Sequence, residues 1–124
     1  MTRLKTTQVG PTREALRARQ DYRCALCNGL LPEGEAVLDH DHATGAIRGA
    51  LHRGCNALLG KVENNYRRYG ARNLAAFMAG LASYLQRHET NQTGLLHPSH
   101  KTDEEKRLAR NAAARKRRAN NKEP

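Results

Sequence analysis

Tryptophan is absent from the 124-residue chain, phenylalanine occurs once, and aromatic residues make up 4% of it. Hydrophobic residues reach 38%. A chain of this length fits one domain, and this one has few of the bulky side chains from which a large core is built. Small domains of that kind need a staple: disulfides, a metal or a partner chain. No hydrophobic run is long enough to cross a membrane, and no signal peptide or lipidation motif is visible, so no membrane partner is expected. Cysteine is scarce and odd in number, at Cys24, Cys27 and Cys55. That argues against a disulfide framework and for thiols kept reduced in a cytosol, available as metal ligands. Acidic residues are also few, 12 against 22 lysines and arginines, for a formal charge of +10. Such an excess favours a polyanion, first of all nucleic acid, because neutralising phosphates releases counterions. An anionic membrane surface, or a ribosomal or chromatin-like binder without chemistry, is the alternative.

What is present divides into three stretches. Residues 1–21 form a basic N-terminal helical arm, with a helix over 12–20 and Thr12 as its N-cap. Residues 22–88 form the main domain. Within it, 22–31 reads as a metal knuckle entering a hairpin, and Pro32-Glu33-Gly34 as a turn. Strands are expected over 35–41 and 46–51, joined by a turn at Ala43-Thr44-Gly45. Helices are expected over 53–68 and 72–88. The second carries Leu74, Phe77, Met78, Leu81 and Leu85 on one face. Residues 89–124 form a polar linker and a basic tail. A helix over 103–119 with Thr102 as its N-cap is conceivable there. With almost no apolar face beyond Leu108 and alanines, the tail is expected to be disordered or only nascently helical without a partner. The class predicted is α+β, mostly helical.

Two short motifs carry chemistry. Cys24-x-x-Cys27 and His52-x-x-Cys55 share a two-residue gap that lets one turn aim both members at a single ion, and two such pairs complete the tetrahedron of a closed structural Zn²⁺ site. The competing reading is a surface histidine with a redox pair or buried thiols, but no thioredoxin-like context accompanies the CxxC. Between the pairs lies Asp39-His40-Asp41-His42, directly after the apolar Ala36-Val37-Leu38. Strand alternation sends Asp39 and Asp41 to one face and His40 and His42 to the other. Asn56 follows the last thiol at the start of a helix. Oxygen donors on Asp39 and Asn56 suit Mg²⁺ or a similar ion, and a neutral His40 suits a general base that activates water. The bland alternatives are a solvated hairpin edge and adventitious binding of transition metals.

The run Cys24-x-x-Cys27, Leu38-Asp39-His40-Asp41-His42, Thr44-Gly45, Ile47-Arg48-Gly49, Leu51-x-x-x-Cys55-Asn56-x-x-x-Gly60 resembles the phage recombination endonuclease VII family, part of the His-Me finger or HNH superfamily. The resemblance covers about residues 22–86, with a similar His-Pro and basic ending at 97–121. It implies a ββα-metal core with a structural zinc knuckle, followed by helices and a basic tail. It implies structural Zn²⁺ on Cys24, Cys27, His52 and Cys55, and a catalytic Mg²⁺ or Mn²⁺ on Asp39 and Asn56. It makes His40 the general base and His42 an active-site residue assisting at the phosphate. It further implies DNA as partner, a homodimer with intertwined helices, a phage protein complex as the setting, and the cytoplasm of an infected bacterial host as the place of action. The chain departs from the family pattern at two positions. His52 stands where the family usually has cysteine, an equally acceptable zinc ligand. Leu59 stands where junction-resolving members carry a glutamate, three residues after the asparagine. Metal-dependent cleavage of DNA by nicking or paired nicks, at low sequence specificity, is therefore expected. The alternatives are branched-DNA (Holliday junction) resolution with Glu63 or Glu35 recruited from the partner chain, and a zinc-stapled nucleic-acid binder that does not cut.

Further basic residues are candidates for DNA contact. Arg48 could grip a phosphate bidentately or simply be a solvated strand residue. Lys61, Arg67, Arg68 and Arg72 would line a basic helix flank, and Arg115, Lys116, Arg117 and Arg118 would tether DNA nonspecifically. Tyr66 and Tyr69 could stack on bases or pack at helix ends. His88, His97 and His100 lack a ligand-like context.

Overall fold

The computed structural model describes residues 1–122, so the end of the expected tail, 123–124, lies outside the described residues. Helix accounts for about half of the chain, in α1 (Val9–Arg19), α2 (Arg53–Asn65), α3 (Leu74–Arg87) and α4 (Asp103–Asn121). One antiparallel pair, β1 (Ala36–His40) and β2 (Ile47–His52), forms the sheet. The class is mixed α and β, with helix at about half. Two compact units divide the chain, Met1–Ala79 and Gly80–Pro124.

In the first unit, α1 begins earlier than its sequence suggests. A 3-10 turn at Thr6–Gln8 feeds directly into it, and Gln8 is its N-cap. Pro11 lies in the first helical turn, where no N–H is required of it. Thr12 is therefore inside the helix and does not cap it. Leu16 packs on a cluster of Leu31, Ala36 and Ala50. Gln20 then treats β2 as a neighbouring strand would. Its amide accepts from Ala50 N–H at 2.9 Å and donates to Ala50 C=O at 2.8 Å. The backbone of Ala50 is thus satisfied on the side away from β1, where an open strand edge would otherwise leave it unpaired.

The hairpin register pairs Ala36 with His52, Leu38 with Ala50 and Asp39 with Gly49, then shifts so that His40 faces Ile47. Arg48 is the extra residue of this bulge. β1 stops at His40 because Asp41 closes the turn. Its carboxylate accepts from the N–H groups of Ala43 and Thr44, and its C=O accepts from Gly45 N–H at 2.7 Å. These N–H donors also hold the Asp41 carboxyl below its ordinary pKa. Asp41 is thus a turn residue and not the end of a strand that presents it beside Asp39.

The core is as small as the composition requires. Its buried hydrophobic residues are Cys24, Leu31, Ala36, Ala50 and Leu51. α2 follows β2 without a loop, and it ends at Asn65, three residues short of the expected 68.

α3 contains no buried residue, and Phe77, Tyr84 and Leu85 are exposed along it. In the second unit, α4 takes the helical option for the tail and runs two residues beyond 119. Thr102 caps it, accepting from Glu105 N–H at 3.2 Å. Asp103, Glu104 and Glu105 occupy its first turn, where the helix dipole favours acids, and Glu104 pairs with Arg107. The rest is mainly alanine, arginine and lysine, all strong helix formers. These local terms favour helix where an apolar face is missing. No described helix is long and apolar enough to cross a membrane.

Candidate metal and catalytic centre

The structure brings Cys24, Cys27, His52 and Cys55 together, with one ligand atom from each and all four within 4.8 Å of one another. A tetrahedral Zn²⁺ with arms of about 2.3 Å to sulfur needs separations of about 3.8 Å. His52 Nδ1 lies 3.2 Å from Cys27 Sγ and 3.9 Å from Cys55 Sγ, so the donor set fits that ion. The local fold explains the convergence. A bridge between Arg23 and Leu30 closes the loop, and Cys24 N–H bonds to Gly29 C=O at 2.9 Å. Asn28 takes the left-handed conformation (φ 63°) that this tight turn needs, one that asparagine tolerates. His52, the last residue of β2, and Cys55, in the first turn of α2, complete the set.

The histidine is oriented from behind. Its Nε2 lies 2.8 Å from Leu30 C=O, which can only accept, so the proton sits on Nε2 and the Nδ1 lone pair faces the sulfurs. The Leu30 carbonyl, then the Cys24 and Cys27 thiols, raise the His52 pKa. Burial disfavours the Cys24 thiolate, but backbone N–H groups of Cys27, His52 and Leu26 outweigh it and lower the pKa to about 6. Burial, followed by the neighbouring thiols, pushes Cys55 up to about 11. Three sulfurs this close cannot all ionise cheaply without a cation among them.

On β1, Asp39 is a buried charged residue, 6% exposed. Its carboxylate is gripped by Arg48, Nε to Oδ2 at 2.7 Å and Nη2 to Oδ1 at 3.1 Å. The other side of the same guanidinium holds Glu63 of α2, Nη1 to Oε2 at 2.9 Å and Nη2 to Oε1 at 3.0 Å. Glu63 first, and then Asp39, stabilise the charged Arg48 and raise its pKa further above the ordinary value. The bulge makes this geometry available. Strict alternation would pair Arg48 with His40 and turn it away from Asp39, whereas an unpaired bulge residue is re-aimed.

His40 and His42 are both exposed, and their rings stack at 4.7 Å with 21° between planes. His42 also lines a cleft of about 460 Å³ with Asp41, Gly60, Glu63, Tyr66 and Arg67 among its walls. Asn56 is half-buried in the first turn of α2, and the side-chain hydrogen bonds among the described residues include none to its amide. Asp39 keeps lone pairs beyond the two that Arg48 engages.

The model of the family described as recombination endonuclease VII matches residues 2–87. The chain belongs to the recombination endonuclease VII family. A search of curated proteins gives no match. The family description names a nuclease acting on DNA. The matched span of this endonuclease VII chain runs from the N-terminal segment to the last residue of α3, so it contains the Cys/His cluster, Asp39, His40 and Asn56, and leaves out α4.

Among the basic candidates, Arg48 is turned onto two carboxylates, so its N–H donors are largely engaged. Lys61, Arg67 and Arg68 lie on and just beyond the C-terminal half of α2, and Arg67 Nε lies 3.1 Å from Tyr66 Oη. Arg72 is exposed ahead of α3. Arg115, Lys116, Arg117 and Arg118 are exposed on α4. Glu63 was legible only as an acid from a partner chain, whereas it meets Arg48 within the same chain. Its spacing was the available signal: seven residues after Asn56 is two helical turns, hence the same face of α2.

Proposed function

We propose that the chain is a metal-dependent DNA endonuclease of the HNH type, with β1, β2 and α2 as its ββα-metal core. The observation that carries this is the Cys24–Cys27–His52–Cys55 cluster. It ties the end of β2 and the first turn of α2 to the knuckle, so Asp39 and His40 on β1 and Asn56, next to Cys55, share one rigid frame. Zn²⁺ there is structural.

In the mechanism, Asp39 and Asn56 would hold the catalytic Mg²⁺ or Mn²⁺. That ion supplies stabilisation of negative charge at the scissile phosphate and the leaving oxygen. His40, open to solvent, takes a proton from water onto its imidazole. The water oxygen forms the new bond to phosphorus as the bond to the 3′ oxygen breaks. The products are a 5′ phosphate and, once that oxygen gains a proton, a 3′ hydroxyl. The stacked His42 ring fixes the His40 plane and lies ready to assist at the phosphate. Lys61, Arg67, Arg68 and, from α4, Arg115, Lys116, Arg117 and Arg118 contact the DNA backbone. Arg48 retains N–H capacity for the same use. The exposed Phe77, Tyr84 and Leu85 of α3 support the homodimer implied by the family. The phage protein complex and the cytoplasm of an infected host belong to the same proposal.

The test is cleavage of supercoiled plasmid and of a four-way junction with Mg²⁺ or Mn²⁺, with His40→Ala alongside. Nicking by the wild type and not by the folded, zinc-loaded variant is expected. If neither DNA is cut while zinc and DNA are bound, the chain is a non-catalytic binding module. Branched-DNA resolution is the second reading, favoured by the match to the recombination endonuclease VII family. Faster cleavage of the junction than of plasmid would establish it.

A further inference from the structure

We propose that Glu63 is a positioning residue of the divalent-ion site, acting through Arg48: it gives the guanidinium, which also holds both oxygens of Asp39, a second carboxylate on which to rest when Asp39 takes an ion. The inference rests on the reading of Asp39 as an ion ligand.

Charge is the first argument. Asp39 and Arg48 alone form a neutral pair, and a cation approaching it meets an arginine already holding both carboxylate oxygens. Asp39 is 8% exposed in its side chain, against 32% for Glu63. Water does little to loosen the inner pair, and a buried ion pair with good geometry is not readily opened. Glu63 changes the balance. With it the group carries one net negative charge, and Arg48 has a second bidentate carboxylate on which to rest. Nη2 is shared between the two, 3.1 Å from Asp39 and 3.0 Å from Glu63, so the guanidinium holds both carboxylates at once and keeps Glu63 if it yields Asp39.

Position is the second argument. Glu63 lies seven residues, about 10 Å along the helix axis, beyond Asn56. That is too far for it to share an ion with Asn56, and the right distance for the long arginine to bridge. Gly60 stands between them without a side chain, and a Cβ there would meet nothing within 4 Å. The bulge at Arg48 has no other evident use, since it breaks the ladder at the point where the arginine must turn.

A purely structural tie from α2 to the hairpin is the competing account, and a double-mutant comparison separates the two. Mn²⁺ binding to zinc-loaded protein is measured by calorimetry and by the loss of the free Mn²⁺ resonance signal, for wild type, Glu63→Gln, Arg48→Gln, the double variant and Asp39→Asn. Circular dichroism verifies the fold of each. Glu63→Gln, which keeps the shape and removes the charge, is expected to weaken Mn²⁺ by about tenfold, since charge count sets divalent affinity. Arg48→Gln is expected to bind at least as tightly as wild type. The double variant is expected to return close to wild type, because without Arg48 there is nothing for Glu63 to restrain. Wild-type affinity in Glu63→Gln, or a double variant as weak as Glu63→Gln, overturns the proposal and leaves Asp39 as a ligand. Undiminished binding in Asp39→Asn overturns both this proposal and the catalytic-ion reading.

Discussion

Removing zinc from the Cys/His cluster should unfold the first unit, because the apolar core of that unit is small. Its fully buried large side chain is Leu31, at 1% exposure, with Leu51 at 2%; Ala36 and Ala50 add little volume. Burying a leucine stabilises by about 1.5–3 kcal/mol, so the two together contribute roughly 3–6 kcal/mol. Zinc ligation in small finger peptides contributes on the order of 10 kcal/mol or more at neutral pH. Domains of this size are stable by only about 5–15 kcal/mol in total. The loss of the ion therefore exceeds what the apolar core supplies. The assay is urea unfolding before and after chelation under reducing conditions, with zinc content checked by metal analysis and tyrosine ellipticity followed in the near ultraviolet. The zinc-loaded protein is expected to unfold cooperatively, and the stripped protein to show no cooperative transition from the knuckle and hairpin. α4, stabilised by local terms, should retain part of the far-ultraviolet signal. A stripped protein with an unchanged urea midpoint would refute the reasoning, because the small core would then be sufficient.

Three other outcomes follow from particular contacts. Gln20→Ala removes both bonds to the backbone of Ala50, which is 0% exposed, and a third to Arg23 C=O; a loss of about 2–3 kcal/mol is expected, and a urea midpoint within error of wild type would mean that water replaces the amide. Gly60→Ala adds a methyl group to open space inside α2, so a gain of about 0.5–1 kcal/mol in stability is expected, and a destabilised variant would show that the cleft tolerates no side chain. Replacing Arg115, Lys116, Arg117 and Arg118 by glutamine should leave the urea midpoint unchanged while lowering the salt dependence of DNA binding by up to about four phosphate contacts. An unaltered salt slope would remove α4 from the DNA interface.

The Cys/His cluster was legible because its signal is local. Two ligand pairs with two-residue gaps specify their own turns, and only their mutual approach had to be supplied by folding. The helices were legible as elements because apolar spacing and caps are also local, as at Thr102. Errors came where one local signal outranked another. Pro11 could occupy the first turn of α1, so the helix starts upstream of Thr12. Asp41 found N–H donors in its own turn, so the strand ended before it. The ion pairs of Arg48 were not legible at all. They depend on a one-residue register shift, and a shift of one residue reverses which face a side chain occupies. Gly49, directly after Arg48, was the one available hint, since a glycine inside a strand pattern often accompanies a bulge.

The departure at Leu59 and the bulge at Arg48 then become parts of one arrangement. On α2, positions three and seven after Asn56 share a face with it. The chain places a leucine at the first and a carboxylate at the second, about 6 Å further along the axis. From there an acid cannot act at the ion that Asn56 would hold, but a long cation can connect it to Asp39. Arginine suits that role better than lysine, because its planar fork can grip two carboxylates bidentately at once. Arg48→Lys should therefore behave unlike the wild type even though charge is kept. A single ammonium can rest on Asp39 or on Glu63 but cannot divide itself between them, so Mn²⁺ affinity should fall while the urea midpoint changes little. If the Arg48→Lys variant sustained wild-type Mn²⁺ affinity, net charge alone would account for the site and the forked geometry would have no part in it.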